Sequence, residues 1–537
     1  MPAPFRKQNI QNTPLKIVGG NKFGRYPKIS QEQTWNMIVS DNALVPYAGY
    51  KARQLLGSGI TGRGIYASKI QNFILAVAGT KVMRITNPGT LGTQVGTLDT
   101  NNGEVFMTEN NGGQILITDG RYAYIYDYGD GGVFYSSKVG SANYFAFGDP
   151  DLFLDTGYCS FQDGRFIVAV NGTQNWVLSN LNDGLVWPST ARNVGAIQSK
   201  PGFVQAAIPV PGGGNNLLVM GTDVAESWQN VGAALFTYQR NSTFNIDYGC
   251  INAASIAFLD NYIVWVAVNE QSGPIIMYTQ GTGIKSISTD GIDFKLADLT
   301  APENCTGFLF RQDGHIIYQI TFYTDNLTYA YDFNTGLFFT ISDENLNYHP
   351  ARQVVFFNNE YYFVSLKDGV LYQFGSQFTD IIDIEGNQKI IPRLRVVPPL
   401  RLVSQRYFIA KSLGFTIENG RPNRATEHPG FITAPQLLTA ETGFILTTES
   451  GKAIKTDQKS YEAVSYTTYE NVVDLSISRD GGESFGNAVR IPMNPTGKRK
   501  SRMIFQRLGI VNDVTFQLRF SGTDRFVCFD GEVEVYQ

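Results

Sequence analysis

A chain of 537 residues is long enough for two to four domains, or for one large closed fold with an appendage. Its 43 Lys and Arg against 47 Asp and Glu leave a net charge of −4, which excludes a protein that coats nucleic acid by bulk charge. Only 17% of residues are charged, 13% are aromatic and 55 are glycine, which excludes disorder and coiled coil and points to many short strands joined by tight turns.

The opening stretch, MPAPFRKQNIQNTPLK, lacks the apolar segment of a secretory signal. The best apolar run, YIVWVAV at 262–268, is strand length, far short of the roughly 18 residues of a membrane span. The expectation is a protein made in the cytoplasm that has no contact with a membrane. Beyond residue 60 a strand–turn–strand unit recurs. ILAVAG-TKVMRI turns near Gly79, QILITDG-RYAYIYDY at Gly120, RFIVAVNG-TQNWVLS at Gly172 and NLLVMG-TDVAESW at Gly221. YIVWVAVNEQSG-PIIMYTQ follows near Gly273, HIIYQITFYTDN-LTYAYDF near Asn326 and YYFVSLKDG-VLYQF near Gly369.

The mean spacing is about 48 residues, and a period of that size carrying strands without helices is what propeller blades show. One blade cannot bury both its faces, whereas a ring of blades buries each face against a neighbour. The fold class predicted is therefore all-β. Residues 1–60 form an N-terminal arm with a propeller-closing strand, 61–397 a β-propeller of six or seven blades, and 398–537 a C-terminal β-sandwich-like domain. Two consecutive sandwiches are the structural alternative. The change near 395 is signalled by IPRLRVVPPLRL, whose prolines 392, 398 and 399 read as a linker or domain edge. The longer alternating strands beyond it suit a half-buried antiparallel sheet.

Few residues read as chemistry. Cys159, Cys250, Cys305 and Cys528 lie far apart and predict neither a zinc site nor a disulfide framework. His315, His349 and His428 share no metal spacing, PGGGNN at 211–216 lacks the Lys-Ser/Thr of a phosphate loop, and no G-x-S-x-G occurs. No catalytic residue, metal or cofactor is expected. Ser478, Asp480, Gly482 and Phe485 match the Asp-box pattern S-x-D-x-G-x-[ST]-[WF] of sialidases, a hairpin staple in which the carboxylate accepts turn N–H groups. A glycosidase needs in addition two carboxylates across a cleft, roughly 5–9.5 Å apart, which the sequence does not pair. The basic run Lys498, Arg499, Lys500, Arg502, with Arg507, reads either as a solvated tip or as a patch facing phosphate or an acidic partner.

Ordered motifs from 111 to 290 then carry a resemblance. They run Asn111–Gly120 (NGGQILITDG), Tyr124–Asp127 (YIYD), FQDGRF from Phe161, and WVLSNLNDG from Trp176 to Gly184 with Trp187 behind it. GTDVAESW from Gly221 to Trp228, then Gly232, Gly249-Cys250, Trp265 and IKSISTD from Ile284 to Asp290 complete the set. In order and spacing this resembles the packaged-DNA stabilisation proteins, also called tail accessory or tail hub proteins, of short-tailed bacteriophages. LSISRDGGESFG and the strands after it are similar to the end of the same proteins. The resemblance implies a structural, non-enzymatic virion protein of the neck or tail. It forms a homo-oligomeric ring, usually a hexamer, below the portal and adaptor, seals packaged DNA and carries other tail proteins. Sequence-independent contact with that DNA is a further implication. The rivals are a propeller glycosidase or depolymerase acting on host-surface glycan, motivated by the Asp-box hairpin, and a binding propeller unrelated to viruses.

Overall fold

The structure is a computed structural model that describes the chain apart from residues 1–9, 24–30, 149–154, 188–192, 234–235, 282, 403–406, 420–434, 438–454, 460–470, 494–499, 523–524 and 537. Among the described residues seven antiparallel blades follow one another, at 62–97, 106–136, 156–196, 204–246, 257–286, 305–340 and 351–375. Seven is thus the blade number, and each hairpin read from the sequence is the pair of middle strands of one blade. Their continuous apolar runs follow from burial on both faces. Ile74–Ala78 and Gln114–Thr118 are buried throughout, whereas the outer strand Thr93–Thr97 faces solvent and is polar.

Blade 7 supplies only three strands of its own. Its fourth is Gly49–Leu55, paired antiparallel from Val370 opposite Leu55 to Gly375 opposite Gly49, so an N-terminal strand closes the ring. The closure is apolar: Ile65, Ile74 and Ile85 of blade 1 pack against Phe357, Tyr362 and Leu371 of blade 7. The other blade-to-blade contacts repeat this pattern, with Trp176 against Trp228 between blades 3 and 4 and Trp265 against Met220 between blades 4 and 5. One helix, Asp290–Ala297, links blades 5 and 6, where the sequence predicted none. Its Ile292 and Leu296 are buried against blade 5, a contact too short to leave a helical period in the sequence.

The C-terminal part is a two-sheet sandwich. One sheet orders Met37–Ser40, Ala43–Pro46, Phe526–Tyr536, Phe408–Asn419 and Ser501–Val511, with Ile10–Leu15 also paired to Phe526–Tyr536. The facing sheet holds Arg393–Val396, Asp513–Ser521, Val472–Ser478 and Val489–Pro492. Phe415 and Phe505 on one side meet Val473, Leu475, Phe516 and Leu518 on the other. Within the described N-terminal arm, Ile10–Leu15, Met37–Ser40 and Ala43–Pro46 build the sandwich, Gly49–Leu55 closes the propeller, and Phe23 and Gln31–Trp35 lie against blade 6. The segment read as a linker or domain edge proves to be an edge and not a free linker: Arg393–Val396 is a strand between Gln31–Trp35 and Asp513–Ser521, so the sandwich sheet continues into blade 6.

That junction is held by buried charge. Arg395, fully buried, donates Nε to Ile17 O at 2.6 Å, Nη1 to Gly20 O at 3.2 Å and Thr34 Oγ1 at 3.1 Å, and Nη2 to Glu32 Oε2 at 2.9 Å. Arg393 beside it reaches Asp380 Oδ1 at 3.3 Å. Asn36 donates Nδ2 to Ser342 Oγ at 2.8 Å and Pro392 O at 2.7 Å, while its Oδ1 accepts from Ser342 N at 2.7 Å. Each of these groups would be costly to bury alone, and together they satisfy one another except at Arg393 Nε, which is buried without a partner.

Candidate assembly surface and axial channel

The Asp-box hairpin lies in the sandwich, where Val472–Ser478 ends. Asp480 Oδ1 accepts from Glu483 N and Ser484 N at 3.1 Å each and from Ser478 Oγ at 2.5 Å, and Ser478 Oγ accepts from Gly482 N at 2.8 Å. Hydrogen bonds from the Ser478 and Ser484 hydroxyls and the Ser484 amide hold the Asp480 carboxyl well below the usual carboxylate range. Phe485 is half-buried. Every oxygen of the motif is occupied by its own turn, which leaves it no chemistry beyond stapling.

Of the basic run, Lys498 and Arg499 lie outside the described residues. Lys500 Nζ sits 3.1 Å from Glu418 Oε1, and Arg502 pairs with Glu532. Arg507, exposed and at φ 62°, has no acidic partner among the described residues. The outward face of this sheet also carries Lys411, whose Nζ meets Glu534 Oε1 at 2.8 Å. The run is thus joined to a face whose cations and carboxylates alternate, a nearly neutral surface rather than a bare positive patch. Such exposed, solvent-screened pairs add little to stability.

Beside the ion pairs runs an apolar row that the sequence did not single out. Ile10 stands opposite Tyr536, Tyr536 opposite Ile409, and Ile409 opposite Ile510, so the row crosses four strands. Ile10 is 54% and Ile510 66% exposed. The hollow beside it, about 750 Å³, is lined by Ile409, Ile504, Lys411, Arg502 and Glu534 among others. An apolar centre rimmed by paired charges is how a protein-facing surface is composed. Each residue alone is an ordinary member of an alternating strand, so only the register reveals the row.

The propeller axis presents the opposite surface. Its inner strands converge on a hollow of about 200 Å³ lined by Ile65, Phe106, Tyr158, Phe258, Phe308 and Val354, with the Phe106 and Tyr158 rings 5.0 Å apart. Gln353 shares this lining, so the wall is mixed in character, and the hollow is small against the width of a DNA duplex.

The motif residues at 111–290 hold blades together. Glu226, fully buried, accepts from Gln198 N at 2.8 Å, Ser199 N at 2.6 Å and Trp228 Nε1 at 2.9 Å, with Arg240 Nη1 at 3.3 Å. Burial pushes its carboxyl up, and these hydrogen bonds outweigh burial and bring it below its ordinary value. Asp119 Oδ1 accepts from Tyr122 N at 2.7 Å and Oδ2 from Tyr124 OH at 2.9 Å, closing its turn. Gly249 packs against the Thr222 carbonyl, a space that any Cβ would fill. Among the described residues no group of three or more His, Cys, Asp or Glu could hold a metal, and no helix is long and apolar enough to cross a membrane. The four cysteines are buried and unbridged, and burial raises the Cys159 and Cys250 thiols to about 12.

Comparison with known proteins follows the same division of the chain. A family described as "Bacteriophage P22 Gp10, beta-propeller" matches residues 29–379, and one described as "Bacteriophage P22 Gp10, beta-sandwich" matches 447–536. No curated protein matches. Among solved structures, the N-terminal domain of Nup159 is similar at TM-score 0.38 and 11% identity, over 67% of this chain and 99% of that one. The Cps50 (Swd1) β-propeller of Myceliophteria thermophila gives 0.38 and 9%, over 60% and 99%. The extracellular domain of BT4673 from B. thetaiotaomicron gives 0.39 and 9%, over 70% and 44%. These are loose likenesses. With its propeller matched across 29–379 and its sandwich across 447–536, the chain belongs to the bacteriophage P22 Gp10 family and is a structural phage tail protein.

Proposed function

We propose that this chain assembles as a ring, most simply of six copies, in the neck of a short-tailed phage below the portal and adaptor. There it seals packaged DNA in the head and connects the distal tail parts. The observation that carries this reading is the family match over both the propeller and the sandwich. Two features of the molecule support it. The inner strands of the propeller leave only a small hollow at its axis, so in this reading DNA passes between copies and not through a blade ring. The sandwich offers an apolar row rimmed by ion pairs, suited to a permanent neighbour.

In this reading the protein does mechanical work. Identical head-to-tail contacts close a ring whose lumen is narrowed until infection. Virions assembled without this chain should lose their DNA, and purified chain should bind portal–adaptor complexes. Retention of DNA in its absence together with failure to bind would sink the proposal. Sequence-blind contact with DNA is assigned to the basic run, where Lys500 and Arg502 would exchange their carboxylate partners Glu418 and Glu532 for phosphate. Replacing Lys498, Arg499, Lys500 and Arg502 by Gln should weaken DNA retention most at low salt and flatten its salt dependence. Particle stability that the replacement leaves unchanged across salt returns these residues to solvent.

A further inference from the structure

Two hairpin tips meet where the sandwich rests on blade 6. The hairpin Met37–Ser40/Ala43–Pro46 presents Ser40, and the hairpin Cys305–Gln312/His315–Phe322 presents His315. His315 Nε2 lies 3.0 Å from Ser40 Oγ, and His315 Nδ1 lies 2.9 Å from Asp332 Oδ2. Asp332 is fully buried and is itself oriented, accepting from Asn334 N at 3.0 Å and Thr335 Oγ1 at 2.7 Å. A buried carboxylate against Nδ1 holds the ring proton there, so Nε2 faces the Ser40 hydroxyl as an acceptor. That is the arrangement of a nucleophile, its base and the group that orients the base.

Burial is graded in the sense such chemistry needs. Asp332 is 0% exposed, His315 9%, and Ser40 is partly open. The turn after Ser40 is Asp41-Asn42, both left-handed at φ 48° and 58°. The N–H groups of these two residues meet no acceptor among the described residues. The amide directly after a nucleophile is one of the places from which a developing oxyanion is held. The three side chains come from positions 40, 315 and 332, which is why a search for local motifs passes over them.

We propose that Ser40, His315 and Asp332 form an acyl-transfer centre that hydrolyses a small acyl ester carried on a hydrophilic alcohol. Ser40 Oγ bonds to the carbonyl carbon as its proton passes to His315 Nε2. The bond to the alcohol oxygen then breaks as that proton is returned to it. Water repeats the sequence on the acyl-Ser40, releasing the carboxylic acid and restoring the hydroxyl. The small, hydrophilic substrate follows from the surroundings. The neighbouring tip residues are Asp41, Asn42 and Asp313, and Asp313 is engaged by Arg525 and by Ser376 Oγ at 2.8 Å. This inference is independent of ring assembly.

The test uses the purified full-length chain, a fluorophosphonate probe and p-nitrophenyl acetate. The expected result is one probe adduct, mapped by mass spectrometry to Ser40, together with ester turnover. Ser40→Ala abolishes both, and His315→Gln slows both by about a hundredfold or more while the folded circular-dichroism spectrum is kept. Asp332→Asn, at a positioning residue, lowers kcat with KM unchanged. Wild-type chain that is folded but takes no label at Ser40 overturns the proposal, as does labelling at an undiminished rate in His315→Gln. In either case the contact is only a latch between sandwich and propeller.

Discussion

Blades 1 to 5 and the junction of blades 6 and 7 with the sandwich are stabilised in different ways. Between the early blades the contacts are strips of side chains from consecutive units, such as Leu75 and Val77 against Ile115 and Tyr124. At the junction the partners are hundreds of residues apart, as with Arg395 and Glu32 or Asn36 and Ser342, and many are charged or polar. A repeated apolar interface tolerates small losses one blade at a time. A buried polar junction does not, because removing one partner strands the other.

The sharpest way to break this contrast is Arg395→Ala. It leaves buried Glu32 with only Lys22, 3.5 Å away and exposed, and the Ile17 carbonyl without its side-chain donor, and should cost about 3 kcal/mol, read as a fall in Tm and early proteolysis of the N-terminal arm. Next is Glu226→Ala within the propeller. It strips Gln198 N, Ser199 N and Trp228 Nε1 of their acceptor, for about 1–3 kcal/mol by denaturant titration. A loss at Glu226 equal to that at Arg395 would erase the distinction between the two regions.

The third prediction concerns acid. His349 is buried among Tyr47, Tyr50, Phe363 and Phe374. Burial lowers it from 6.5 to about 3, with Lys367 adding to the shift. The unfolded chain takes up the proton near the ordinary value, so stability is full above that value and falls as pH drops towards 3. The loss is about 2 kcal/mol by pH 5. Denaturant midpoints at pH 7 and 5 measure it, and His349→Phe should flatten the dependence. The smallest effect is expected at Asp480→Asn, which loosens only its own turn and is read as faster amide exchange at Glu483 and Ser484.

The same contrast explains what was legible in the sequence. Turns at Gly79, Gly120 and Gly172 adopt φ of 53°, 92° and 70°, and the apolar runs beside them repeat, so the propeller could be read as a period. The closing strand Gly49–Leu55 was expected as a role without a position, because pairing with Val370–Gly375 leaves no local trace. The segment around Arg393 and Arg395 read as a linker because prolines 392, 398 and 399 dominate it, while its buried arginines look like surface residues until Glu32 and Asp380 are brought to them. The Asp-box staple could be recognised because all its bonds lie within a few residues. The apolar row from Ile10 to Ile510 could not, since it depends on the register of four strands.

In the proposed function this propeller and sandwich stand in a ring of identical copies on a portal platform. Electron cryomicroscopy of the purified chain mixed with a portal–adaptor complex tests it most directly. The expected image is a closed ring of symmetry-related copies on the adaptor face, with the propeller axes outside the central lumen. Free single chains beside a bare adaptor would contradict it.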